Sequence, residues 1–528
     1  MCSRSSRASG DRTHRILGSS FLITAINLAA AFVGFATSAT LASRFGASEE
    51  MDALFVAQTL PLLIQAMIST AANYSIIPAF GELESKNDGA GASRTASTLL
   101  NCFGLFLLSA SLTVSLASTG VLDLIAPGLP VDTRKTAGGL LAIQAPILFF
   151  GGVAALLSSV LSSRERYFHG PIALLLSSLV TLTVILLFKK SAGIDAAAIA
   201  YLAGSLVTLL FLLPPYLRRY PYRMSLAVRD PAAASILWLM LPLLLGSMFY
   251  RAEALVQRFI ASFLPTGSIS YLGYGFKVIT LFATLLSSGL PVVALTHYSA
   301  QLRQNDAAGL TETFHSVFKW MTCLVVACVV LVIVCGKDLV QILFMRGRFD
   351  AQAASYTYQC LILYSGVLVA GVLGSLITPV FYAHKDVKTT VALGIGGSLL
   401  HLILCFSLAP KFSFLGLPLA HSISNVLTVG TMLFVLRAKH LPLRLLSLGR
   451  FMLATLLAAT VTVALFFLPV LQAIDQLNVV LRLTLKGGSA LLTYTLIAIA
   501  FGMADALLVS RPQARWLKHL RVCSLAGP

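Results

Sequence analysis

The amino-acid sequence predicts an all-α membrane protein with about fourteen transmembrane helices. Its 528 residues are 57% hydrophobic and only 11% charged, whereas a typical soluble domain carries about 25% charged residues. The apolar residues also form long runs, and a helix needs about 20 such residues to cross a bilayer. Because the runs lack the alternation of membrane-spanning strands, the sequence excludes both a soluble enzyme and a β-barrel.

Charged residues, glycines and prolines divide the chain into fourteen apolar segments that are long enough to be transmembrane helices. Their approximate limits are 16–44, 51–80, 95–119, 137–163, 170–188, 196–217, 233–263, 269–300, 314–335, 353–383, 389–410, 413–436, 451–471 and 483–509. The first segment has the basic start of a signal peptide but is longer than a usual hydrophobic region of one. We therefore expect it to be retained as helix one.

The net charge of +18 is interpreted as membrane topology rather than as nucleic-acid binding. If alternate loops share a side, the side that holds both termini carries 24 Lys and Arg residues and the other side carries 11. Cytoplasmic loops collect Lys and Arg. The sequence therefore predicts a multi-pass membrane protein with both termini in the cytoplasm.

An offset of about 219 residues aligns similar segments in the two halves of the chain: Ala42-Ser43 with Ala261-Ser262, Gly152-Val153 with Gly371-Val372, and Arg218 with Arg437. The offset spans six helices, which predicts two six-helix lobes in a parallel repeat, as in transporters. The predicted domains are a basic tail at 1–15, an N-lobe at 16–217, a basic linker at 218–232, a C-lobe at 233–437, helices thirteen and fourteen at 438–510, and a basic tail at 511–528.

Once 35 of the 38 Lys and Arg residues are assigned to loops, tails and helix ends, three basic residues remain, and Glu253 lies with them on helices seven and eight; in chain order the four are Arg251, Glu253, Arg258 and Lys277. At about 1.5 Å per residue, they lie about 18, 15, 8 and 12 Å from the predicted outer ends of their helices. Charged groups within a membrane usually face a bundle interior or a water-filled cavity. One interpretation is a cationic cavity wall that binds an anionic head group, since Arg suits bidentate contact with phosphate. The other is a structural Glu253–Lys277 pair with Arg258 reaching the interface.

Other chemistry is not indicated. The sequence has no phosphate-binding loop of the Walker type and no metal-binding histidine motif, so we expect a transporter rather than an enzyme, without a cofactor. A coupling ion, Na⁺ or H⁺, or the membrane potential would then drive transport.

Six of the eight cysteines lie in apolar runs and are interpreted as small buried hydrophobic residues. Polar residues within the helices are expected to line a cavity or to bond between helices: Asn27, Gln58, Gln65, Gln144, His401, His421 and Asn425.

Four stretches carry a resemblance to a known family. They are Ala42–Ala57 (ASRFGASEEMDALFVA), Arg258–Tyr274 (RFIASFLPTGSISYLGY), Leu343–Phe349 (LFMRGRF) and Phe381–Thr389 (FYAHKDVKT). In order and spacing, they resemble the MurJ (MviN) lipid II flippases of the MOP exporter superfamily, which also contains the MATE transporters. The resemblance implies fourteen helices in two lobes and transport of an undecaprenyl-pyrophosphate-linked sugar precursor, lipid II, for peptidoglycan synthesis. Helices thirteen and fourteen would form a groove for the lipid tail, and cell-wall synthesis proteins are candidate partners.

The resemblance also implies a cationic central cavity. Lys277 stands at a cationic position of the family, and Asp52 at an acidic one, so both join Arg251, Glu253 and Arg258 as candidate substrate-binding residues. The arginines that the family carries in helices one and two are absent here, where the chain reads Ala30–Ser38 and Gln65-Ala66. The alternatives are therefore a flippase for an exopolysaccharide or O-antigen unit and, less favoured because the site is net positive, a multidrug–cation antiporter.

Overall fold

The computed structural model describes residues 2–85, 89–163, 168–188, 193–222, 230–287, 290–304, 306–466, 468 and 478–503. Side chains are described from residue 22 onwards, except at 84–85, 89–90, 231, 249–250, 252, 290–293, 296, 300 and 502–503. This part of the chain contains no β-strand and forms eighteen α-helices: α1 (Cys2–Phe45), α2 (Glu49–Ser85), α3 (Gly89–Leu116), α4 (Ser118–Ile125), α5 (Val131–Gln144), α6 (Pro146–Ser162), α7 (His169–Leu187), α8 (Asp195–Arg219), α9 (Pro231–Ala261), α10 (Ser268–Ser287), α11 (Leu290–Arg303), α12 (Ala307–Phe344), α13 (Ala351–Leu363), α14 (Ser365–Ala383), α15 (Val387–Phe412), α16 (Gly416–Lys439), α17 (Leu445–Phe466) and α18 (Val479–Ala498).

Every predicted apolar segment has a helical counterpart. Thirteen stretches of the described residues are long and apolar enough to cross a membrane, and the longest of them, Val387–Lys439, contains both α15 and α16. The all-α membrane fold is therefore confirmed. Helix α1 begins at Cys2 rather than near residue 16, because a helix that is already nucleated extends at little cost. The predicted tail at 511–528 lies outside the described residues.

Where the described residues are continuous, two predicted segments are each broken into a pair of helices, and the breaks support the internal repeat. The fourth segment breaks at Ala145, between α5 and α6, and the tenth at Tyr364, between α13 and α14. Tyr364 follows Ala145 by 219 residues, the offset seen in the sequence. Pro146 explains the first break because proline has no N–H for the helix ladder. The predicted lobe boundaries themselves stay a prediction.

The short break predicted at 410–413 is a real turn between two packed helices. Helix α15 ends at Phe412, a 3₁₀ turn covers Ser413–Leu415, and α16 begins at Gly416 and packs along α15. A Cβ atom on Gly416 would lie 2.5 Å from the Leu408 carbonyl oxygen, so only glycine allows this close approach. Helices α7 and α8 also pack along each other.

The chain divides into two compact units. The N-terminal unit comprises Leu22–Gly273 and Arg346–Phe349, and the C-terminal unit comprises Met1–Phe21, Tyr274–Met345 and Asp350–Pro528. In the N-terminal unit, α2 packs against α5, α6 and α9, and α6 packs against α3 and α8. Apolar side chains of α2, α3 and α6 form the core between them. In the C-terminal unit, α12 packs against α13, α14, α17 and α18.

A buried ion pair joins α12 to α18 within the C-terminal unit. An Arg482 guanidinium nitrogen, Nη2, lies 2.6 Å from Asp338 Oδ1 and also donates to Gln341 Oε1 at 3.1 Å. The two charged side chains are only 15% and 6% exposed. The predicted limits 314–335 and 483–509 left Lys337 and Arg482 just outside the helices, and this was wrong: α12 and α18 contain them. A charged residue at the edge of an apolar segment can lie in a loop or in an end turn of the helix, and the sequence pattern does not separate these two cases.

Surface side chains in both units fit a lipid environment. On α9, the exposed apolar residues Trp238, Leu241, Leu245 and Met248 recur at intervals of three and four, which places them along one side of the helix.

The six cysteines among the described side chains are free, and four of them are buried. Their interpretation as small apolar residues in the core is therefore consistent with the structure.

Candidate substrate site

Arg251 lies deep in the span of α9, about 15 Å from the end of this helix at Ala261. Its side chain is exposed, and Nη2 donates a 3.3 Å hydrogen bond to the hydroxyl of Thr70 on α2. Helices α2 and α9 pack against each other inside the N-terminal unit. Because an exposed cation facing hydrocarbon at this depth would be costly, Arg251 is expected to face water or a charged ligand.

Arg258 follows Arg251 by seven residues, two helical turns, and so lies on the same face of α9. Its guanidinium lies over the ring of Phe55 on α2, 5.6 Å from the ring centroid. Glu253, two residues after Arg251, points in another direction and is half-buried. The structure therefore places the two arginines together on the side of α9 that faces α2 (the arginine face).

Lys277 lies on α10 and is half-buried. It belongs to the C-terminal unit, whereas Arg251, Glu253 and Arg258 belong to the N-terminal unit. The pairing of Glu253 with Lys277 and the contact of Lys277 with an anionic substrate stay predictions.

Asp52 is buried near the start of α2 and binds the beginning of α10. Its carboxylate accepts hydrogen bonds from the backbone N–H groups of Gly267 and Ser270, both at 2.7 Å, and from the Ser270 hydroxyl at 2.5 Å. Because the first N–H groups of a helix have no partner within the helix, Asp52 serves as a cap supplied by another helix. Nearby Arg258 adds electrostatic stabilisation. This geometry favours a structural role, and contact of Asp52 with substrate stays a prediction.

Asp52→Asn is expected to lower the free energy of unfolding by about 1–3 kcal/mol, because the amide offers one acceptor oxygen and no charge to three donors. Thermal unfolding of the purified protein in detergent measures the effect. The matched control is Asp123→Asn, since Asp123 forms an exposed ion pair with Arg134 that is worth less than about 1 kcal/mol. Equal shifts for the two variants would contradict the capping role.

Three of the four stretches that carry the family resemblance meet in the N-terminal unit. The loop at 346–349 contacts the end of α1, where the Arg348 N–H donates to the Ser43 carbonyl at 3.0 Å. Three glycines with positive φ make the close approaches possible: Gly46 against Arg348, Gly267 against Ala47, and Gly347 against Ser43. A side chain at each would be strained and would overlap a carbonyl oxygen. We call residues 43–52, 262–270 and 346–349 the three-motif junction.

Arg44 extends this junction to the end of α7. Its Nη1 donates a 3.0 Å hydrogen bond to the carbonyl oxygen of Phe188, which follows α7 and would otherwise lack a helical donor. A cation is also favoured at this end of a helix by the helix dipole. The conspicuous charged and glycine positions of the first stretch therefore join helix ends to one another.

The fourth stretch has a similar role in the C-terminal unit. Asp386 caps α15 by accepting from the Thr389 N–H at 3.2 Å and from its hydroxyl at 2.8 Å, and it pairs with His440 at 3.0 Å and Lys439 at 3.6 Å. The Thr389 hydroxyl and then His440 hold the pKa of the Asp386 carboxyl well below its ordinary value. This cluster ties the turn between α14 and α15 to the end of α16.

The sequence analysis did not identify the polar partner of the arginine face on α2. Thr70 accepts from Arg251, and one turn further along α2 Asn73 Oδ1 accepts a 2.7 Å hydrogen bond from Ser159 on α6. Thr70 and Asn73 are three residues apart and so share one side of α2. The three-residue spacing of Thr70 and Asn73 was the feature of the sequence that could have identified this polar side of α2. Among the described residues, no set of three His, Cys, Asp or Glu side chains is placed to hold a metal ion.

The chain resembles known proteins over most of its length. A family model described as "Lipid II flippase MurJ" matches residues 41–486. A probable lipid II flippase MurJ of Vibrio cholerae serotype O1 is 27% identical over 445 residues, which cover 81% of this chain and 83% of that protein. A lipid II flippase MurJ of Burkholderia cenocepacia is 24% identical over 418 residues, covering 75% and 79% of the two chains.

Solved structures have the same fold. A lipid II flippase MurJ in an inward closed conformation matches with a TM-score of 0.78 and 21% identity, over 91% of this chain and 99% of that one. An inward-facing multidrug resistance MATE family transporter of the MOP superfamily matches with a TM-score of 0.67 and 13% identity, over 80% and 98% of the two chains.

Proposed function

Because the chain belongs to the lipid II flippase MurJ family, we propose that it moves lipid II from the inner to the outer leaflet of the cytoplasmic membrane for peptidoglycan synthesis. The observation that carries this proposal is the family match from residue 41 to residue 486, which spans most of both compact units. The multi-pass helical fold and the absence of an ATP-binding loop agree with a transporter that works by alternating access.

The arginine face of α9 is the part of the site that we propose binds the pyrophosphate. A guanidinium presents a rigid fork of N–H donors that matches two phosphate oxygens, and charge-assisted bonds of this type are strong. Arg251 has the exposure and depth for this contact, and its Thr70 partner orients the fork while leaving other N–H groups available. Lys277, on α10, is proposed as a further substrate contact.

The two arginines are proposed to act differently. Arg258 lies over the Phe55 ring and contributes to the field around Asp52, so we assign it to the wall of the site rather than to direct phosphate contact. The lipid tail would remain in the bilayer beside α17 and α18. The excess of Lys and Arg on one side supports cytoplasmic termini.

Complementation tests the substrate assignment. Expression of this chain in a bacterium depleted of its own lipid II flippase is expected to restore growth and normal cell shape. Arg303→Ala, a variant at the exposed end of α11, is the matched control and should complement equally well. Absence of rescue despite confirmed insertion in the membrane would overturn the lipid II assignment. Rescue of a strain that lacks an exopolysaccharide or O-antigen flippase instead would support that alternative.

A further inference from the structure

An exposed aromatic ring lies beside the arginine face, on α2. Thr70, which accepts the hydrogen bond from Arg251, is followed four residues later by Tyr74, so Thr70 and Tyr74 lie on one side of α2. The Tyr74 side chain is 57% exposed. It begins one helical turn, about 6 Å along the helix axis, beyond the residue that bonds the guanidinium.

The surface around Tyr74 is polar and is therefore suited to water or a polar ligand rather than to hydrocarbon. Asn73 and Arg251 are also exposed, and Asn73 follows Thr70 by three residues, so it flanks the Thr70–Arg251 bond. An amide or a guanidinium that faced lipid tails would be costly, and a tyrosine hydroxyl in an apolar setting usually has a hydrogen-bond partner. These neighbouring exposed groups therefore form one polar surface within the N-terminal unit.

The backbone of α2 contributes a further acceptor at the same place. Pro78 lies inside α2, four residues after Tyr74, and is exposed. Proline has no N–H, so it cannot donate to the Tyr74 carbonyl oxygen as the helix ladder would require. Asn73 is held by Ser159, which donates to its Oδ1, and this leaves the amide N–H groups as donors for a ligand.

A sugar ring is the ligand that suits this combination of groups. One face of a pyranose is made of C–H groups, which pack on an aromatic ring as other apolar groups do. The hydroxyl groups of the sugar can donate to the Tyr74 carbonyl and accept from the Asn73 amide. A lipid tail would use the ring but leave the amide and the carbonyl without partners. A second phosphate would need a cation, and residues 62–80 of α2 contain no Lys or Arg.

We propose that Asn73 and Tyr74 bind the sugar that carries the pyrophosphate of the substrate (the sugar subsite). This inference rests on the proposed function for the identity of the lipid and adds the residues that recognise its sugar. The first sugar of lipid II is bonded directly to the pyrophosphate, so a phosphate held at Arg251 brings this sugar to the next turn of α2. There the ring of Tyr74 packs on the sugar, and the Asn73 amide fixes its orientation.

Binding of two related lipids separates the sugar subsite from the phosphate site. Undecaprenyl pyrophosphate has the lipid and the phosphates of lipid II without its sugars, and the dissociation constants of both are measured with full-length protein in lipid nanodiscs. Tyr74→Leu is expected to weaken lipid II binding about two- to tenfold, the range of one aromatic packing interaction, and to leave undecaprenyl pyrophosphate binding unchanged. Tyr74→Phe keeps the ring and should bind both lipids as wild type does. Arg251→Ala should weaken both lipids alike.

The matched control is Trp238→Leu, at an exposed aromatic residue on the apolar side of α9, and it should leave both dissociation constants unchanged. Because Tyr74 is exposed, Tyr74→Leu opens no cavity in the core. Equal weakening of both lipids by Tyr74→Leu, or no effect on either, overturns the sugar subsite and leaves the proposed function standing. If the wild-type protein binds neither lipid, the proposed function fails and the subsite with it. Selective binding of an O-antigen lipid that Tyr74→Leu weakens supports the subsite and overturns the lipid II assignment.

Discussion

Arg251→Ala is expected to slow the initial rate of lipid II flipping about 10- to 100-fold. One charge-assisted hydrogen bond contributes about 1.5–3 kcal/mol, and each 1.4 kcal/mol corresponds to a factor of ten. Arg251 is exposed within the span of α9 and is held by Thr70 of α2, so its loss removes a positioned cation without opening a packed core. The rate is measured in proteoliposomes as the appearance of lipid II at the opposite leaflet.

Three further variants separate substrate binding from structure. Arg251→Lys keeps the charge but loses the planar fork, so its rate should fall between those of wild type and Arg251→Ala. Thr70→Val removes the bonding partner alone and should have a smaller effect than Arg251→Ala. If Thr70→Val is as slow as Arg251→Ala, the arginine acts by joining α2 to α9 and not by binding substrate. Arg303→Ala is the charge-matched control and should behave as wild type.

Lys277→Ala is expected to produce a loss of similar size, because Lys277 is likewise proposed to bind the anionic substrate. Wild-type rates in both Arg251→Ala and Lys277→Ala would return these residues to a structural role.

Asp338→Ala is expected to lower the free energy of unfolding by about 3–5 kcal/mol, because it leaves the Arg482 guanidinium buried without its carboxylate. The ion pair is short and almost fully buried, and it joins α12 to the first turn of α18. The expected result is a lower unfolding temperature of the purified protein and less folded protein in the membrane.

Removing both charges is the matched control. The double variant Asp338→Leu with Arg482→Met should recover most of the lost stability, because replacing a buried ion pair by apolar side chains is often neutral or stabilising. If the double variant is as unstable as Asp338→Ala, shape rather than charge explains the loss. A single variant with wild-type stability would show that the pair does not hold α18.

The helical fold was accessible from sequence because hydrophobic length alone determines whether a segment can span a membrane. The repeat was accessible as well: a similarity offset of 219 residues was followed by helix breaks at Ala145 and Tyr364 with that spacing. The Asp338–Arg482 pair was not accessible, because its partners lie 144 positions apart and meet only through the packing of α12 on α18. Arg482 lies one residue before the apolar segment predicted at 483–509, so the sequence pattern assigned it to a loop rather than to the helix.

The candidate site was only partly accessible. Charges inside apolar helices identified Arg251 and Arg258, and their spacing of seven residues predicts a shared face. The short motifs pointed elsewhere: Asp52, Gly46, Gly267 and Asp386 join helix ends and cap helix starts. Their function depends on backbone N–H and carbonyl groups of distant segments, which a one-dimensional pattern does not display. The resemblance is therefore carried largely by residues that build the scaffold, and the arginine face lies beside them.

Selectivity between two lipid-linked substrates tests the central claim most directly. Wild-type protein is reconstituted into vesicles that contain both lipid II and an undecaprenyl-pyrophosphate-linked O-antigen unit, and the initial flipping rate of each is measured together with that in protein-free vesicles. We predict that lipid II moves at least about tenfold faster than the O-antigen unit, a difference of about 1.4 kcal/mol. A lipid II rate no greater than that of protein-free vesicles, or a faster rate for the O-antigen unit, would contradict the assignment.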